Sequence, residues 1–576
     1  MRRAVTLRRL RVGRDGEARA LGRVLLVLGV LAAIGLGVPT IGLAQQDDRP
    51  SNQRIERPGF EPDAPAPLEG ETGPVEPTAL PSGAPLSFVL EGVDFEGNTA
   101  FPTERLQAEV ASLVGRRIDT QDLLAARDRL TRLYVDAGFA TSGATLPDQS
   151  LADGRVRFRI VEGRIGEIEV RGARRFRDDY FADRLAWAAR APVDVGRIET
   201  LLRRFQRDDR IRRVDARLEA TEEVGVGRLL LVVEEDRQLD VRVATENDRS
   251  PAVGEEGAIL AASLANLAGR GDRFSTTSTF THGLIDLGGR YMIPVSASDA
   301  RVELIARWST ANVEEWPFRP LDIESESLTL GIRGVQPVFE IGRWSGEVGL
   351  GFDWRSGRST LDESLFCFQP EVTDCTPSVS VVRSFGHLRY RGPRSAFAIR
   401  STLSWGTGWF GATTRPGGGP DGRFVAWLAQ AQWARRTPFD GTLITRFDLQ
   451  LTEDPLLTFE RIAVGGARTV RGYRPNQNVR DSGFAGSVEW SWPVWKRPLG
   501  KAYVELAPFF DFGHAWNERN DPGDNWIASA GTGLLMRPLD RVEARLDWGA
   551  RLLGVDRIGS GLIDHGLHFR VVVDVW

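Results

Sequence analysis

From residue 237 to its end the chain repeats a single pattern, and that pattern excludes most folds. Short segments of alternating apolar and polar residues follow one another, each closed by Gly, Asp, Asn or Pro. Gly257–Ala265, Asp272–Thr281, Arg301–Trp308, Phe424–Trp433 and Leu443–Leu451 all read this way. A period of two places successive side chains on opposite faces of a strand, so each segment has one apolar and one polar side. The block holds no long helical periodicity. So many strands in series leave a β-barrel or a large sandwich. Two features favour a barrel in a membrane. Every tryptophan except Trp187 lies here, many near predicted strand ends, where a membrane barrel carries its aromatic girdle. The roughly 340 residues also accommodate about sixteen strands of ~10 residues with their turns and loops.

The N-terminus supplies a route to such a membrane. Arg2, Arg3, Arg8, Arg9, Arg11, Arg19 and Arg23 precede an apolar run from Val24 to Val38, and Gly42-Leu43-Ala44 follows it. The run is shorter than the roughly 20 residues a membrane-crossing helix needs. A basic region, a short apolar region and small residues predict a signal peptide over 1–44, cut after Ala44. With 74 basic against 78 acidic residues the chain has no excess of positive charge, which argues against nucleic acid as a ligand. Cys367 and Cys375 stand close together, and in an oxidising compartment they can close a small loop as a disulfide. Metal binding needs more ligands than this stretch offers.

Residues 45–85 hold nine prolines and almost no aliphatic side chains, the composition of an extended linker. Gln45 to Arg57 is polar enough for a short helix, although Pro50 interrupts it. From Leu86 an internal repeat begins. At a fixed offset Gly97 matches Gly172, Phe101 matches Phe176, Ile118 matches Val193, Leu123 matches Ile198 and Leu130 matches Phe205. Each copy, 86–163 and 164–236, reads as a strand, two helices and two strands. Thr120–Val135 and Val195–Arg207 carry helical spacing; Arg155–Glu162 and Arg228–Glu234 read as closing strands.

Two short motifs near the C-terminal end carry the chemistry. The first is Val470-Arg471-Gly472-Tyr473, a cation in a glycine-rich stretch that no strand pattern needs. The second is Phe509-Phe510-Asp511-Phe512-Gly513. In the strand Val504–Gly513, the residues Val504, Leu506, Pro508, Phe510 and Phe512 share a face suited to lipid. Asp511 therefore points into the lumen with Glu505, Ala507, Phe509 and Gly513. A carboxylate in a confined lumen is costly unless paired. Arg471 is its natural partner if the loop folds back into the barrel, because a guanidinium holds a carboxylate through two hydrogen bonds. Gly472 allows the turn behind it, and Gly465-Gly466 gives a flexible entry. In the last strand Leu567, Phe569, Val571, Val573 and Val575 form one apolar face, and Trp576 falls out of phase with it.

Together the two motifs resemble the VRGY and FxDxG motifs of the two-partner secretion transporters, the haemolysin secretion/activation proteins. Placed directly before a barrel, the two repeats resemble POTRA domains, and Leu267-Ala268-Gly269-Arg270-Gly271-Asp272 looks like that family's early hairpin turn. The resemblance implies a mostly β protein: a sixteen-stranded outer-membrane barrel over 237–576, preceded by two periplasmic βααββ POTRA domains. It implies that Val470, Arg471, Gly472, Tyr473, Asp511 and Gly513 lock a sixth extracellular loop inside the pore, and that Gln45–Arg57 stands where relatives carry a plug helix. It implies a large secreted partner, an adhesin, cytolysin or toxin, threaded unfolded through the pore without nucleotide hydrolysis, and contact with outer-membrane lipids. No cofactor is implied. The sequence shows no P-loop and no metal-ligand cluster. None of its five histidines (His282, His387, His514, His565, His568) is paired with a convincing nucleophile, so an enzyme is not expected. A barrel-assembly factor shares the first motif and the repeated domains. Two copies and the second motif count against it. A passive porin does not need the two domains.

Overall fold

A computed structural model describes residues 69–70, 87–367, 375–415, 419–496, 503–519, 523, 526–554 and 559–575. The expected signal peptide and plug helix, and Trp576, lie outside the described residues. Of the proline-rich linker the structure describes Glu69–Gly70, which forms a short strand parallel to Arg217 and Leu218.

Among the described residues, sixteen antiparallel strands form one closed barrel. They are β1 (Leu239–Glu246), β2 (Gly257–Ala265), β3 (Arg273–Phe280), β4 (Leu284–Pro294), β5 (Arg301–Asn312), β6 (Ile323–Ile341), β7 (Trp344–Leu361) and β8 (Ser378–Arg391). The circuit continues through β9 (Ser395–Thr407), β10 (Val425–Arg436), β11 (Thr442–Thr452), β12 (Ser482–Lys496), β13 (Tyr503–Trp516), β14 (Ile527–Leu539), β15 (Val542–Arg551) and β16 (Leu567–Asp574). β16 pairs with β1 from Arg242↔Asp574 to Glu246↔Arg570, so no edge is left unpaired. β6 and β7 run to 19 and 18 residues, well past the expected length, because their ladder continues, through one register shift between Pro337 and Phe339, to a two-residue turn. In β13 the alternation falls as its sequence requires: Phe510 is 45% exposed on the outer face, whereas Ala507, Phe509 and Asp511 are buried inside. Trp344, Trp409, Trp495 and Trp526 are exposed at or near strand ends.

The two repeats fold as separate α/β units, each with its own core. The first packs α1 (Thr103–Val110) and α2 (Thr120–Asp136) on a sheet that includes Gly92–Glu96 and Arg155–Val161. The second packs α3 (Asp178–Ala188) and α4 (Val195–Gln206) on one that includes Arg164–Arg171, Ile211–Ala220 and Val226–Glu235. Of the matched apolar pairs, Ile118 and Val193, Leu123 and Ile198, and Leu130 and Phe205 are all buried. The matched glycines, Gly97 and Gly172, share a φ of +88°, and a Cβ at either would collide with a strand carbonyl, of Ile160 or Val233.

A second repeated device was not legible in sequence: a glutamate at the end of each closing strand cradles the turn after that glycine. Glu162 accepts from the N–H groups of Thr99 (2.6 Å) and Ala100 (2.7 Å) and from the Tyr134 hydroxyl (3.2 Å). Glu235 accepts from the N–H groups of Arg174, Arg175 and Phe176 at 2.9–3.0 Å. Burial pushes the Glu162 carboxyl upward, but its hydrogen bonds from Ala100 and Thr99 outweigh this and hold it below the usual range. The folded unit therefore prefers the ionised form. That stabilisation is present above the ordinary glutamate range and is lost as pH falls through the lowered value. Glu162→Gln is expected to cost the first unit ~1–3 kcal/mol near neutral pH. Thermal melts of the purified segment holding the two α/β units should show the gap to wild type closing as pH falls below about 4.

The second unit is seated on the barrel's near rim. The Arg177 N–H donates to the Gly269 carbonyl (2.8 Å) in the β2–β3 turn, and Gly271 lies against the Tyr180 ring. Asp299, in the β4–β5 turn, receives Arg184 (2.7 Å) and Arg204 (2.6 Å), while Glu340 receives Arg204 (3.2 Å) and Arg207 (2.8 Å). The rim carrying these turns is therefore the one facing the α/β units, and the loop joining β11 to β12 belongs to the opposite rim.

Candidate functional site

That loop, residues 453–481, is the sixth on the far rim, and it turns inward instead of outward. Its limbs pair as a small hairpin, Ile462–Val464 with Asn478–Arg480, and residues 465–477 form the tip. Gly465 (φ +123°) and Gly466 (φ +92°) set the turn, and the Thr469 hydroxyl ties it by accepting from the Gly465 N–H (2.7 Å). These glycines, expected as a flexible entry, are instead held in a conformation that other residues rarely adopt.

The tip brings Arg471 to Asp511 on the inner wall. The Arg471 Nε donates to Asp511 Oδ2 (2.7 Å), Nη2 donates to Oδ1 (2.9 Å), and the Arg471 backbone N–H reaches Oδ2 as well (3.0 Å). This is the two-pronged geometry that Lys cannot form. The guanidinium carbon sits 3.4 Å from the centroid of the Phe509 ring, which covers its flat face.

The surroundings exceed the expected pair. Arg471 Nη1 also donates to Glu489 (2.6 Å) on β12 and Asp547 (3.4 Å) on β15, and Nη2 to the Ser487 hydroxyl (3.2 Å). Arg545 shares both added carboxylates, lying 2.7 Å from Glu489. Two guanidinium groups thus meet three carboxylates inside the wall, and all the donors of Arg471 are used. Sequence reading missed Glu489, Asp547, Ser487 and Arg545. Each falls in the polar phase of its strand, where a lumenal residue facing water looks the same.

The other predicted residues fix the tip. Val470 and Tyr473 are fully buried in a cluster with Ile462, Val464, Ala485, Ala515 and Ile527. The Tyr473 hydroxyl donates to the Ala528 carbonyl (2.9 Å) and lies 2.8 Å from that of Leu553. Gly472 has φ +89°, and a Cβ there would lie 2.6 Å from the Gly549 carbonyl oxygen. At Gly513 a Cβ would meet Val464 (2.5 Å) and Val470 (3.2 Å), so the missing side chain makes room for the loop. Cys367 and Cys375 lie elsewhere, in the β7–β8 loop on the far rim, where the structure joins them as a disulfide.

The fold thus combines a closed sixteen-stranded barrel, an α/β unit seated at one mouth and a loop tied inside the lumen by buried charge. The haemolysin secretion/activation protein family ShlB/FhaC/HecB matches residues 225–536, more than half the chain, and the ShlB-type POTRA domain matches 88–163. The chain belongs to this family. It is 24% identical over 467 residues to the outer membrane transporter CdiB of Escherichia coli, covering 77% of this chain and 76% of that one. The Dickeya dadantii CdiB is 22% identical over 476 residues, covering 78% and 79%. Among solved structures, CdiB from Escherichia coli superposes with a TM-score of 0.69 at 19% identity, over 88% of this chain and 94% of that one. CdiB from Acinetobacter baumannii gives 0.62 at 14% identity, over 96% and 98%. The protein is thus placed in the outer membrane, with its POTRA domain in the periplasm.

Proposed function

We propose that this transporter takes up one large partner polypeptide in the periplasm, passes it unfolded through the barrel and releases it at the cell surface without nucleotide hydrolysis. The 164–236 unit acts as a second POTRA domain, and strands of the partner add to exposed sheet edges of the two units. Val470, Arg471, Gly472, Tyr473, Asp511 and Gly513 form the lock that keeps the loop in the resting pore. The Cys367–Cys375 bond constrains an extracellular loop. The partner is an adhesin, a cytolysin or a toxin whose folding outside prevents its return.

The observation that carries this reading is the burial of Arg471 among carboxylates of the inner wall. A loop held by charge can be displaced and can return, which a pore for polypeptides needs and a static porin does not. The test is deletion of the gene, followed by quantitative proteomics of culture medium, cell surface and outer membrane. Loss of one large protein from the medium or surface, with other barrels unchanged, supports the proposal and names the partner. A broad fall in outer-membrane barrels would replace it with the assembly-factor reading.

A further inference from the structure

Nearer its base the same loop meets the wall with the charges reversed. Before the hairpin begins, Glu460 is buried against two arginines of the opposite arc. Arg383 on β8 donates through Nη2 to both Glu460 oxygens (2.8 and 2.9 Å), and Arg355 on β7 stands 3.4 Å away. Arg355 also donates to the Phe459 carbonyl (3.1 Å), so it grips the backbone beside the carboxylate. The wall holds this pair of cations ready: Arg383 donates to Asp353 (2.7 Å) and to the Ser404 hydroxyl (2.6 Å), which fixes its fork toward the lumen. Below it, Leu456, Leu457 and Phe459 of the loop pack on Val379, Val381 and Phe424 of the wall.

We propose that Glu460 is a positioning residue, a second anchor that holds the loop's first limb to the β7–β8 arc independently of Arg471. The two contacts share no residue. Arg471 engages β12, β13 and β15; Glu460 engages β7 and β8. At the tip the loop brings the cation and the wall the carboxylates, while at the base the roles are exchanged. Freeing Arg471 therefore leaves the limb seated, and the pore clears fully only when this cluster parts as well as the tip's own ion pairs, which also include Arg468 with Asp248 and Arg474 with Asp564. This rests on the proposed lock in one respect, that the docked loop is the closed state of the pore.

The test is single-channel recording of the purified full-length transporter in planar bilayers. The variants are Glu460→Gln, Glu460→Asp, Arg471→Ala and the Glu460→Gln/Arg471→Ala double. Losing a buried charge partner at either site should raise the open-to-closed ratio by roughly a hundred- to a thousandfold, and the double should raise it by the product. Gln keeps the size of Glu460 without its charge, whereas Asp keeps the charge. A residue that merely fills space would tolerate Gln, so opening by Gln with closure largely kept by Asp supports an ionic anchor. If Glu460→Gln does not assemble, Arg383→Gln tests the same contact from the wall. A Glu460→Gln ratio equal to wild type, or a double no more open than Arg471→Ala alone, would overturn the second anchor. Opening by Glu460→Gln with none by Arg471→Ala would instead remove the tip lock and leave this anchor standing.

Discussion

Arg471→Ala is expected to abolish export of the partner while the barrel still assembles and reaches the outer membrane at normal abundance. The strand ladder does not use this side chain, so folding of the wall is spared. The loop is not. Removing the guanidinium takes from buried Asp511 the cation that it is paired with and leaves Glu489 and Asp547 to Arg545, a loss of about 3–5 kcal/mol by the usual cost of a broken buried ion pair. Arg471→Lys should fail nearly as completely, because a point charge cannot bridge both oxygens of Asp511 and also reach Glu489. Assay of secreted partner, beside the heat-modifiable mobility of the folded barrel on gels, separates transport from assembly. Normal export by Arg471→Ala at normal abundance would remove the lock from the mechanism.

Gly472→Ala should reproduce that phenotype with every charge intact. Its φ of +89° strains any residue with a Cβ, and the new methyl would press on the Gly549 carbonyl. Strain of about 1–2 kcal/mol adds to overpacking of about 1–3 kcal/mol, and both act on the docked tip. The tip relieves them by leaving its seat, which pulls Arg471 away from Asp511 one residue earlier in the chain. Channel recordings should show a leaky pore, and secretion should fall in step. A Gly472→Ala protein that is closed and fully competent would show that the tip tolerates a shift of its backbone. The position would then be one of packing only.

How much of this was legible before the structure depended on period. Alternation along 504–513 sorted Asp511 from Phe510 correctly, because a strand assigns faces by parity alone and lipid tolerates few polar residues. The strand at Gly257–Ala265 was placed to the residue, and helix α2 to within one at its end. The pairing of Arg471 with Asp511 followed from two motifs read together. Its wider setting did not. Glu489 and Asp547 are separated from Arg471 by 18 and 76 positions, and only closure of the barrel brings their strands to the same side of the lumen. Glu460 was invisible for a different reason: a glutamate in a polar loop carries no signal that it will be buried. Glu162 and Glu235 play matching parts in the two units, but the fixed offset that aligns Gly97 with Gly172 sets Glu162 against Arg237, so the repeat as read in sequence did not pair them.

The apolar seats beneath the loop bear on how the pore recovers after a transport event. Val379, Val381 and Phe424 form one seat and Ala485, Ala515 and Ile527 another, and the docked loop covers both. In the proposed cycle a displaced loop leaves these side chains wetted inside an otherwise polar channel, an unfavourable state that grows with the area uncovered. Water itself then acts as the return spring. Once the cargo has cleared the channel, re-drying of the two seats draws the loop home, and the pore resets with no external source of work.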